Sequence, residues 1–412
     1  MLQGANDYQK RLAALYEQSE HGWLTPVEIF QPHYSRAVAR AILHGHVRDT
    51  RLGEAGEAAF ASAPTKPAAG AAPAPLRIVE IGGGLGTNAQ HILDYIQEAA
   101  PEVYATMRYE IFEISSALRE RSTARLLPHA GRAAVLQQDA VQWSGPRIDE
   151  PCWFVAMEVL DNLPHDKIRQ APDGESWLEA RVVAAGADAD ADAGADADAG
   201  SRPDASEASE ASEASEASEA SEVWATARDP LVLRAAALLQ ATLEANAGRK
   251  YAARADGLLA RVRERLGGRK GGVEWFVPTS LLQLLGRLAE HAPQARLIAA
   301  DFNQLPRNKG TADHAVNPPV VASKEGGVTV DHPSYLCGAT ARGDTDVFWA
   351  VDFELAALSH QHALGRPAKV LDSASFMQRW AGKDGLAACT TRTGYNPLLE
   401  DFTNTSFLVT TV

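Results

Sequence analysis

Arg77-Ile-Val-Glu-Ile-Gly-Gly-Gly-Leu-Gly-Thr-Asn-Ala-Gln-His-Ile-Leu93 is the stretch on which the fold turns. A β-branched apolar run stops at a glycine cluster and passes into a helix-compatible segment, which reads as strand, tight turn, helix. Gly82, Gly84 and Gly86 stand at alternate positions, where positive φ and a close approach of the backbone to a ligand cost least. The helix opening near Thr87 or Asn88 aims its N-terminal amides and positive dipole end at whatever rests on the glycines. An anionic group is the natural guest.

Downstream the same pattern recurs. Met107-Arg-Tyr-Glu-Ile-Phe-Glu113 reads as a second strand and is followed by a helix from Ser116 to Leu127. Ala133-Ala-Val-Leu-Gln-Gln-Asp139 reads as a third strand and Cys152-Trp-Phe-Val-Ala-Met-Glu158 as a fourth. Strands alternating with helices, with acids at the strand carboxyl ends, predict an α/β fold. Its doubly wound, mostly parallel, Rossmann-like sheet would hold a ligand along those ends.

At 412 residues the chain is long enough for a sizeable core with appendages. Residues 1–53 read as an N-terminal helical cap, with two helical stretches around His21-Gly-Trp-Leu-Thr-Pro-Val-Glu-Ile-Phe30 and an apolar stripe from Ser35 to Leu43. Residues 54–75, rich in Ala, Pro and Gly, read as a flexible linker, and 76–183 as the Rossmann-like cofactor-binding part. Trp177 to Val183 reads as a further strand or a hairpin arm. Residues 184–222 read as a disordered acidic insert: Asp-Ala alternation passes into six copies of Ala-Ser-Glu, with no apolar side chain larger than alanine.

Residues 223–412 read as the remainder of the fold and its substrate side. Helices are expected at Pro230–Ala247, Arg254–Leu266 and Ser280–Glu290, with strands at Gly272–Pro278 and Ala295–Asp301 that continue the parallel sheet. Further strands are expected at Val328–Val330, Val347–Asp352 and Ser406–Val412, and helices at Glu354–Ala363 and Ser373–Trp380.

The formal charge of −14 is misleading about partners, because residues 187–222 carry twelve acidic side chains and one arginine. Setting aside that insert's −11 leaves about −3, with no basic region suited to nucleic acid. No apolar run approaches a bilayer span of about 20 residues, so the chain is not expected to be membrane-spanning. Cys152, Cys337 and Cys389 form no Cys-x-x-Cys pair, which argues against a disulfide framework and a zinc site. His44 with His46, and His360 with His362, are i, i+2 pairs that do not share a helix face, so no metal is expected. Arg269 and Lys270 read as a solvated loop. The first twenty residues lack the apolar core of a secretory signal, and the chain reads as though its natural start lies upstream of Met1.

A glycine turn after a strand can hold NAD, a nucleotide phosphate or S-adenosylmethionine. No Lys-Ser/Thr closes this turn, which excludes a P-loop, and no Gly-x-Ser-x-Gly elbow supports a hydrolase. The spacing Glu80-x-Gly82-x-Gly84-x-Gly86 differs from the dinucleotide fingerprint Gly-x-Gly-x-x-Gly and resembles that of class I S-adenosylmethionine-dependent methyltransferases. Glu113 lies 27 residues beyond Gly86, one helix and one strand further on, where a carboxylate can accept from both ribose hydroxyls. Asp139 can accept from an adenine amino group. Glu158 and Asp161 leave the fourth strand where a methyl group would be delivered, and two carboxylates there suit a cationic or amine acceptor. Capping of the next helix is the alternative use for that pair.

Val79-Glu-Ile-Gly-Gly-Gly-Leu-Gly-Thr87, Tyr109-Glu-Ile-Phe-Glu-Ile-Ser-Ser-Ala-Leu-Arg119, Glu158-Val-Leu-Asp-Asn-Leu-Pro164 and Ala300-Asp-Phe302 together resemble the MidA family of methyltransferases, which includes the mitochondrial complex I assembly factor. The likeness spans most of residues 20–410 outside the acidic insert. It implies S-adenosyl-L-methionine as cofactor, held by Glu80, Gly82, Gly84, Gly86, Thr87, Glu113 and Asp139. It also implies methyl transfer to a protein arginine of a respiratory complex I subunit, with Glu158 and Asp161 as the catalytic pair. A mitochondrial matrix location follows by the same resemblance, with the cytoplasm as the alternative, since no transit peptide is evident. The chain departs from the family at Met157, where Asn is usual, and at Gly82-Gly83, where Gly-Pro is common. A catalytically silent assembly protein that binds the cofactor is the second reading. An NAD-dependent oxidoreductase is disfavoured by the glycine spacing.

Overall fold

A computed structural model describes residues 25–52, 75–184, 220–247, 272–308, 311–312, 314–325, 328–337, 340 and 345–411. The first of the two expected N-terminal helical stretches, all but Pro75 of the 54–75 linker, positions 185–219 of the acidic insert, the Arg254–Leu266 helix and the Arg269–Lys270 loop lie outside the described residues.

In chain order the elements are α1 (Pro26–Ile29), α2 (His33–Leu52), β1 (Arg77–Ile81), α3 (Thr87–Ala99), α4 (Pro101–Tyr104), β2 (Arg108–Glu113), α5 (Ser116–Arg125), β3 (Ala133–Gln137), β4 (Cys152–Met157), β5 (Asp166–Gln170), β6 (Trp177–Ala184), β7 (Ala220–Thr226) and α6 (Pro230–Ala247). There follow β8 (Glu274–Val277), α7 (Thr279–His291), β9 (Ala295–Phe302), β10 (Ala315–Val316), β11 (Val320–Glu325), β12 (Val328–Asp331), β13 (Thr345–Phe348), α8 (Phe353–Leu364), β14 (Ala368–Asp372), α9 (Ser373–Trp380), α10 (Gly382–Cys389), α11 (Pro397–Glu400) and β15 (Thr405–Thr410). The chain divides into two compact units, one of residues 1–161, 281–304 and 351–412 and one of residues 162–280 and 305–350.

The first unit is built on a seven-stranded sheet of order β14-β15-β9-β4-β1-β2-β3. Five neighbouring strands run parallel, and β15 enters antiparallel between β9 and β14. This is the mixed α/β, doubly wound arrangement that the alternation of strands and helices predicts. Central β4 is buried along its whole length, as its uninterrupted apolar run Cys-Trp-Phe-Val-Ala-Met requires of a strand covered on both faces. The chain leaves β1 for β2 on one side and reaches β4 on the other, so the carboxyl ends of β1 and β4 flank the point where the order reverses, the usual seat of a ligand.

Helix α2 covers one face through Tyr34, Ala37, Val38, Ala41 and Ile42, each at most 5% exposed and spaced as one helical stripe. Its Arg40 donates to the Tyr95 hydroxyl at 3.0 Å and to the Trp380 and Ala381 carbonyls, tying α2 to α3 and to the end of α9. Phe376 of α9 stacks on Phe407 of β15 with centroids 3.8 Å apart.

The second unit holds a five-stranded sheet, β10-β8-β5-β6-β7, and a three-stranded antiparallel sheet, β12-β11-β13. Three expectations are corrected here. The Glu274–Val277 strand does not extend the parallel sheet; it pairs antiparallel with β5 and parallel with β10, while β9 does rejoin the parallel sheet beside β4. An apolar run fixes a strand but not which sheet takes it. The strand expected to end at Asp352 stops at Phe348, and Asp352 instead caps α8 by accepting from the Glu354 and Leu355 amides at 3.1 and 3.0 Å. Lastly, Ala220, Ser221 and Glu222, read as the end of the disordered insert, form the start of β7 and pair with Ala184, Val183 and Val182. Trp177–Ala184 is thus one arm of a hairpin. Glu222 is held in the ladder by Lys167, whose Nζ lies 2.7 Å from its carboxylate.

Candidate functional site

The parallel register brings the carboxyl ends of β1, β2 and β4 level: Ile81 pairs with Phe112 and with Ala156, and Met157 pairs with Ala300 of β9. Gly82 to Gly86, Glu113, Asp139, Glu158 and Asp161 therefore gather along one edge of one sheet, as the sequence predicts.

Gly82 continues the sheet by donating to the Phe112 carbonyl at 2.9 Å, and Gly86 closes the turn onto the Gly83 carbonyl at 2.8 Å. Gly82, Gly84 and Gly86 have φ of +65°, +52° and +77°. The four glycines differ in what a side chain would meet. A Cβ on Gly82 would lie 2.9 Å from Val159, on Gly83 2.6 Å from Ile111, and on Gly86 3.1 Å from the Ser122 side chain, whereas on Gly84 it would meet nothing within 4 Å. Gly83, which its position between the alternating glycines hid from the motif, is required by Ile111. Gly84 instead borders open space. Above it α3 begins with Thr87, and Gly86 at its N-cap has no side chain to satisfy the first amides.

Gly84→Ala and Gly86→Ala should therefore separate binding from folding. Gly84→Ala is expected to cost only the ~1 kcal/mol of a left-handed alanine while weakening cofactor binding at least tenfold. Gly86→Ala adds contact with backbone Ser122 Cα at 3.3 Å and should lose about 2–3 kcal/mol of stability. Denaturant melts and equilibrium binding of S-adenosylhomocysteine on both variants check the pair.

Glu80 lies beneath the turn, 2% exposed, and its two oxygens accept from Asn88 Nδ2 at 2.8 Å and from the Tyr109 hydroxyl at 3.0 Å. The structure thus puts this carboxylate to work holding the turn on α3 and β2. Burial pushes its pKa up to about 7, with the Glu113 charge adding to the rise and the two hydrogen bonds opposing it. The folded state then binds a proton that the unfolded chain has released, so stability falls as pH climbs from the ordinary carboxylate range toward 7. Relative to the ordinary carboxylate value of 4.5 the fall is about 3 kcal/mol. Glu80→Gln should flatten that part of the pH–stability curve, measured by urea unfolding at pH 5 and pH 8; an unchanged slope would show that Glu80 is not its source.

Glu113, 4% exposed, ends β2 and accepts the Ser115 amide on Oε1 at 2.9 Å; Oε2 has no protein donor among the described residues. Ser115 in turn caps α5 through the Leu118 amide. Asp139 follows β3, half-buried, with Oδ1 accepting from the Val141 amide at 2.8 Å.

The loop after β4 starts at Glu158, whose φ of +57° is uncommon for a residue with a side chain. Its amide donates to the Ala300 carbonyl at 2.8 Å. Asp301, fully buried at the end of β9, accepts from the Leu160, Asp161 and Phe302 amides at 2.8, 3.1 and 2.8 Å. Those bonds clamp the loop and hold Asp161, 6% exposed, beside Glu158. Glu158 Oε1 is buried with no hydrogen-bond partner among the described residues. Burial first, then the charges of Asp301, Asp161 and Glu28, raise the Glu158 carboxyl well above the usual range. Tyr34, almost wholly buried, feels the Glu158 and Asp301 charges as well. The motif reading quoted Asp301 within Ala300-Asp-Phe302 but gave it no role, and it missed Glu28 and Tyr34 as parts of this site. Its place at a strand end could have suggested the role of Asp301, but Glu28 and Tyr34 reach the site only through folding of the N-terminal helices. Met157 packs into the core with Val155 and Ala300. Among the described residues no group of His, Cys, Asp or Glu is arranged to hold a metal.

A sheet of this order, with a glycine turn and carboxylates at its carboxyl edge, defines a nucleoside-cofactor enzyme of the methyltransferase type. Comparison with known proteins gives the family: residues 63–370 match the family described as "putative S-adenosyl-L-methionine-dependent methyltransferase", and the chain belongs to it. S-adenosyl-L-methionine is accordingly its cofactor and the chain a methyltransferase. A COG1565 superfamily protein from Burkholderia thailandensis, described as a "likely methyl transferase" and solved with S-adenosyl-homocysteine, is similar at TM-score 0.52 and 15% identity, over 95% of this chain and 79% of that one. A second COG1565 superfamily structure from the same organism is similar at TM-score 0.51 and 14% identity, over 99% of this chain and 92% of that one. At such identities the likeness is one of fold. No curated protein matches the chain. No helix among the described residues is long and apolar enough to cross a membrane.

Proposed function

We propose that the protein transfers a methyl group from S-adenosyl-L-methionine to the guanidinium of a protein arginine, on a subunit of respiratory complex I in the mitochondrial matrix. Glu158 Oε1, buried beside Asp161 and without a donor among the described residues, carries the proposal for a cationic acceptor. The complex I subunit and the location rest on the MidA-like motifs. Gly82 to Gly86 and the N-terminus of α3 would receive the cofactor's amino-acid end, Glu113 Oε2 its ribose, and Asp139 the adenine edge. The fit rests on the space beside Gly84 and the spare acceptor on Glu113. When bound, the cofactor supplies a methyl group on a positively charged sulfur.

The protein's own task is then mainly placement, and the proton that the acceptor nitrogen gives up as it gains the methyl group would leave through the adjacent carboxylates to solvent. A guanidinium reaching Glu158 and Asp161 would be aligned by two carboxylates that Asp301 holds in place through the loop amides. Burial, and after it the charges of Asp301, Asp161 and Glu28, favour the protonated form of Glu158, and binding of a cation should shift that balance toward release of the proton to solvent. The test is transfer of labelled methyl to arginine-containing and lysine-containing peptides and to mitochondrial extract. Label on arginine supports the proposal, and label on lysine alone overturns its acceptor. Met157, a core side chain where the family usually has Asn, favours one competing reading, a silent assembly protein; cofactor binding without label in any fraction would support that instead.

A further inference from the structure

Tyr34 stands at the acceptor end of the site with a hydroxyl to which methyl transfer, as described so far, gives no task. It is the second residue of α2 and 1% exposed. Its ring lies on Phe407 of β15, with centroids 5.9 Å apart. Phe407 pairs with Ala300 of β9, Ala300 pairs with Met157 of β4, and the Ala300 carbonyl accepts the Glu158 amide at 2.8 Å. Tyr34, Met157, Ala300 and Phe407 belong to one buried cluster. The phenol is therefore packed against the strand ends from which the Glu158 loop departs.

Two polar groups are left unmatched there. The Tyr34 hydroxyl makes no hydrogen bond among the described residues, although a buried phenol usually finds a partner. Glu158 Oε1 is buried without a donor among the same residues. One group is a donor and the other an acceptor, and they lie within reach of each other's charge. After burial, Glu158 acts most strongly on the Tyr34 phenol and Asp301 next, and all three raise its pKa, so the phenol keeps its proton at neutral pH. The other charges that act on Glu158 come from Asp301 on β9, Asp161 in its own loop and Glu28 on α1, and an ionised acid has no hydrogen to donate. Tyr34 brings one. A neutral carboxyl makes little use of it, whereas an ionised carboxylate is a strong acceptor.

We infer that the Tyr34 hydroxyl donates to Glu158 Oε1 once that carboxylate ionises, fixing its plane so that Oε2 faces the cationic acceptor. Tyr34 is then a positioning residue that acts through Glu158; what Glu158 receives rests on the methyl-transfer reading.

The test follows Glu158 itself in the full chain labelled with ¹³C at glutamate carboxyls, its resonance assigned by its absence in Glu158→Gln. Tyr34→Phe keeps the ring and removes the hydroxyl, and it should raise the Glu158 titration midpoint by about one pH unit, the scale of a hydrogen bond lost from a charged group. The thermal midpoint should stay in place, and S-adenosylhomocysteine affinity should hold within about threefold. In single-turnover transfer to an arginine-containing peptide, the rising limb of the rate should move to higher pH by the same amount. An unmoved or lowered Glu158 midpoint in folded Tyr34→Phe would overturn the inference. So would a Glu158 that stays protonated up to the highest pH at which the wild-type chain is folded. Should Tyr34→Phe fail to fold, Tyr34→3-fluorotyrosine supplies a stronger donor and should lower the midpoint; no change there would be equally fatal. The titration needs no methyl transfer, so a shifted midpoint with no transfer to any peptide would retain this role for Tyr34 while removing the arginine acceptor.

Discussion

Glu113→Ala should weaken S-adenosylhomocysteine binding by about 30-fold, or about 2 kcal/mol, the scale of losing a hydrogen bond to a charged group. One oxygen of this carboxylate is committed to the Ser115 amide and the other has no protein donor among the described residues. A purely structural strand end would gain nothing from that second, unmatched lone pair in a residue only 4% exposed. Removing the side chain also frees the Ser115 amide, so some stability is lost with the affinity. Glu113→Gln separates the two effects: its carbonyl oxygen can keep the Ser115 bond while the negative charge is lost. Isothermal titration of both variants is the check, and affinity equal to wild type in Glu113→Ala would remove Glu113 from the cofactor site.

Glu158→Gln and Asp161→Asn should each lower the methyl-transfer rate by about 100-fold, as removal of one preorganised electrostatic group from a reacting centre does. Cofactor affinity should stay within about threefold, since neither carboxylate is assigned to the cofactor. The pH dependence gives a second signature. Burial and the neighbouring acids raise the Glu158 carboxyl well above its ordinary value, so in the wild type the ionised form, and with it the rate, grows as pH rises through that raised pKa. Glu158→Gln should lose that rising limb along with the rate. Single-turnover transfer across a pH series measures both. A variant with full rate and an unchanged profile would mean that the pair merely shapes the loop, a task Asp301 already performs through the Leu160 and Asp161 amides.

The glycine turn and the strand-end acids were legible because each is encoded within a few residues: a β-branched run, a cluster permitting positive φ, a carboxylate at a fixed remove. Parallel pairing then does the rest, since level strand ends bring Gly82, Glu113 and Glu158 to one edge without further instruction. What stayed hidden depends on distant partners. Asp301 is separated by 141 positions from the Leu160 amide it accepts. Glu80 looked like a ligand-binding acid, yet its oxygens are taken by Asn88 and by Tyr109, the latter on the adjacent strand. Strand β14 escaped notice because Ala368 to Asp372 is short, mixed in polarity and at the sheet edge, and α10 because it opens on Gly382, which carries a φ of +72°. The second unit was illegible as a unit: its strands come from segments on both sides of α7 and β9, and no local pattern announces which sheet they join.

Equilibrium dialysis of the chain against S-adenosyl-L-methionine carrying a labelled methyl group tests the central claim most directly. One equivalent should bind per chain, S-adenosylhomocysteine should displace it, and Gly84→Ala should reduce binding at least tenfold while remaining folded. No retention of label at about millimolar ligand, or undiminished binding in Gly84→Ala, would contradict a methyl donor seated on the turn at Gly82 to Gly86.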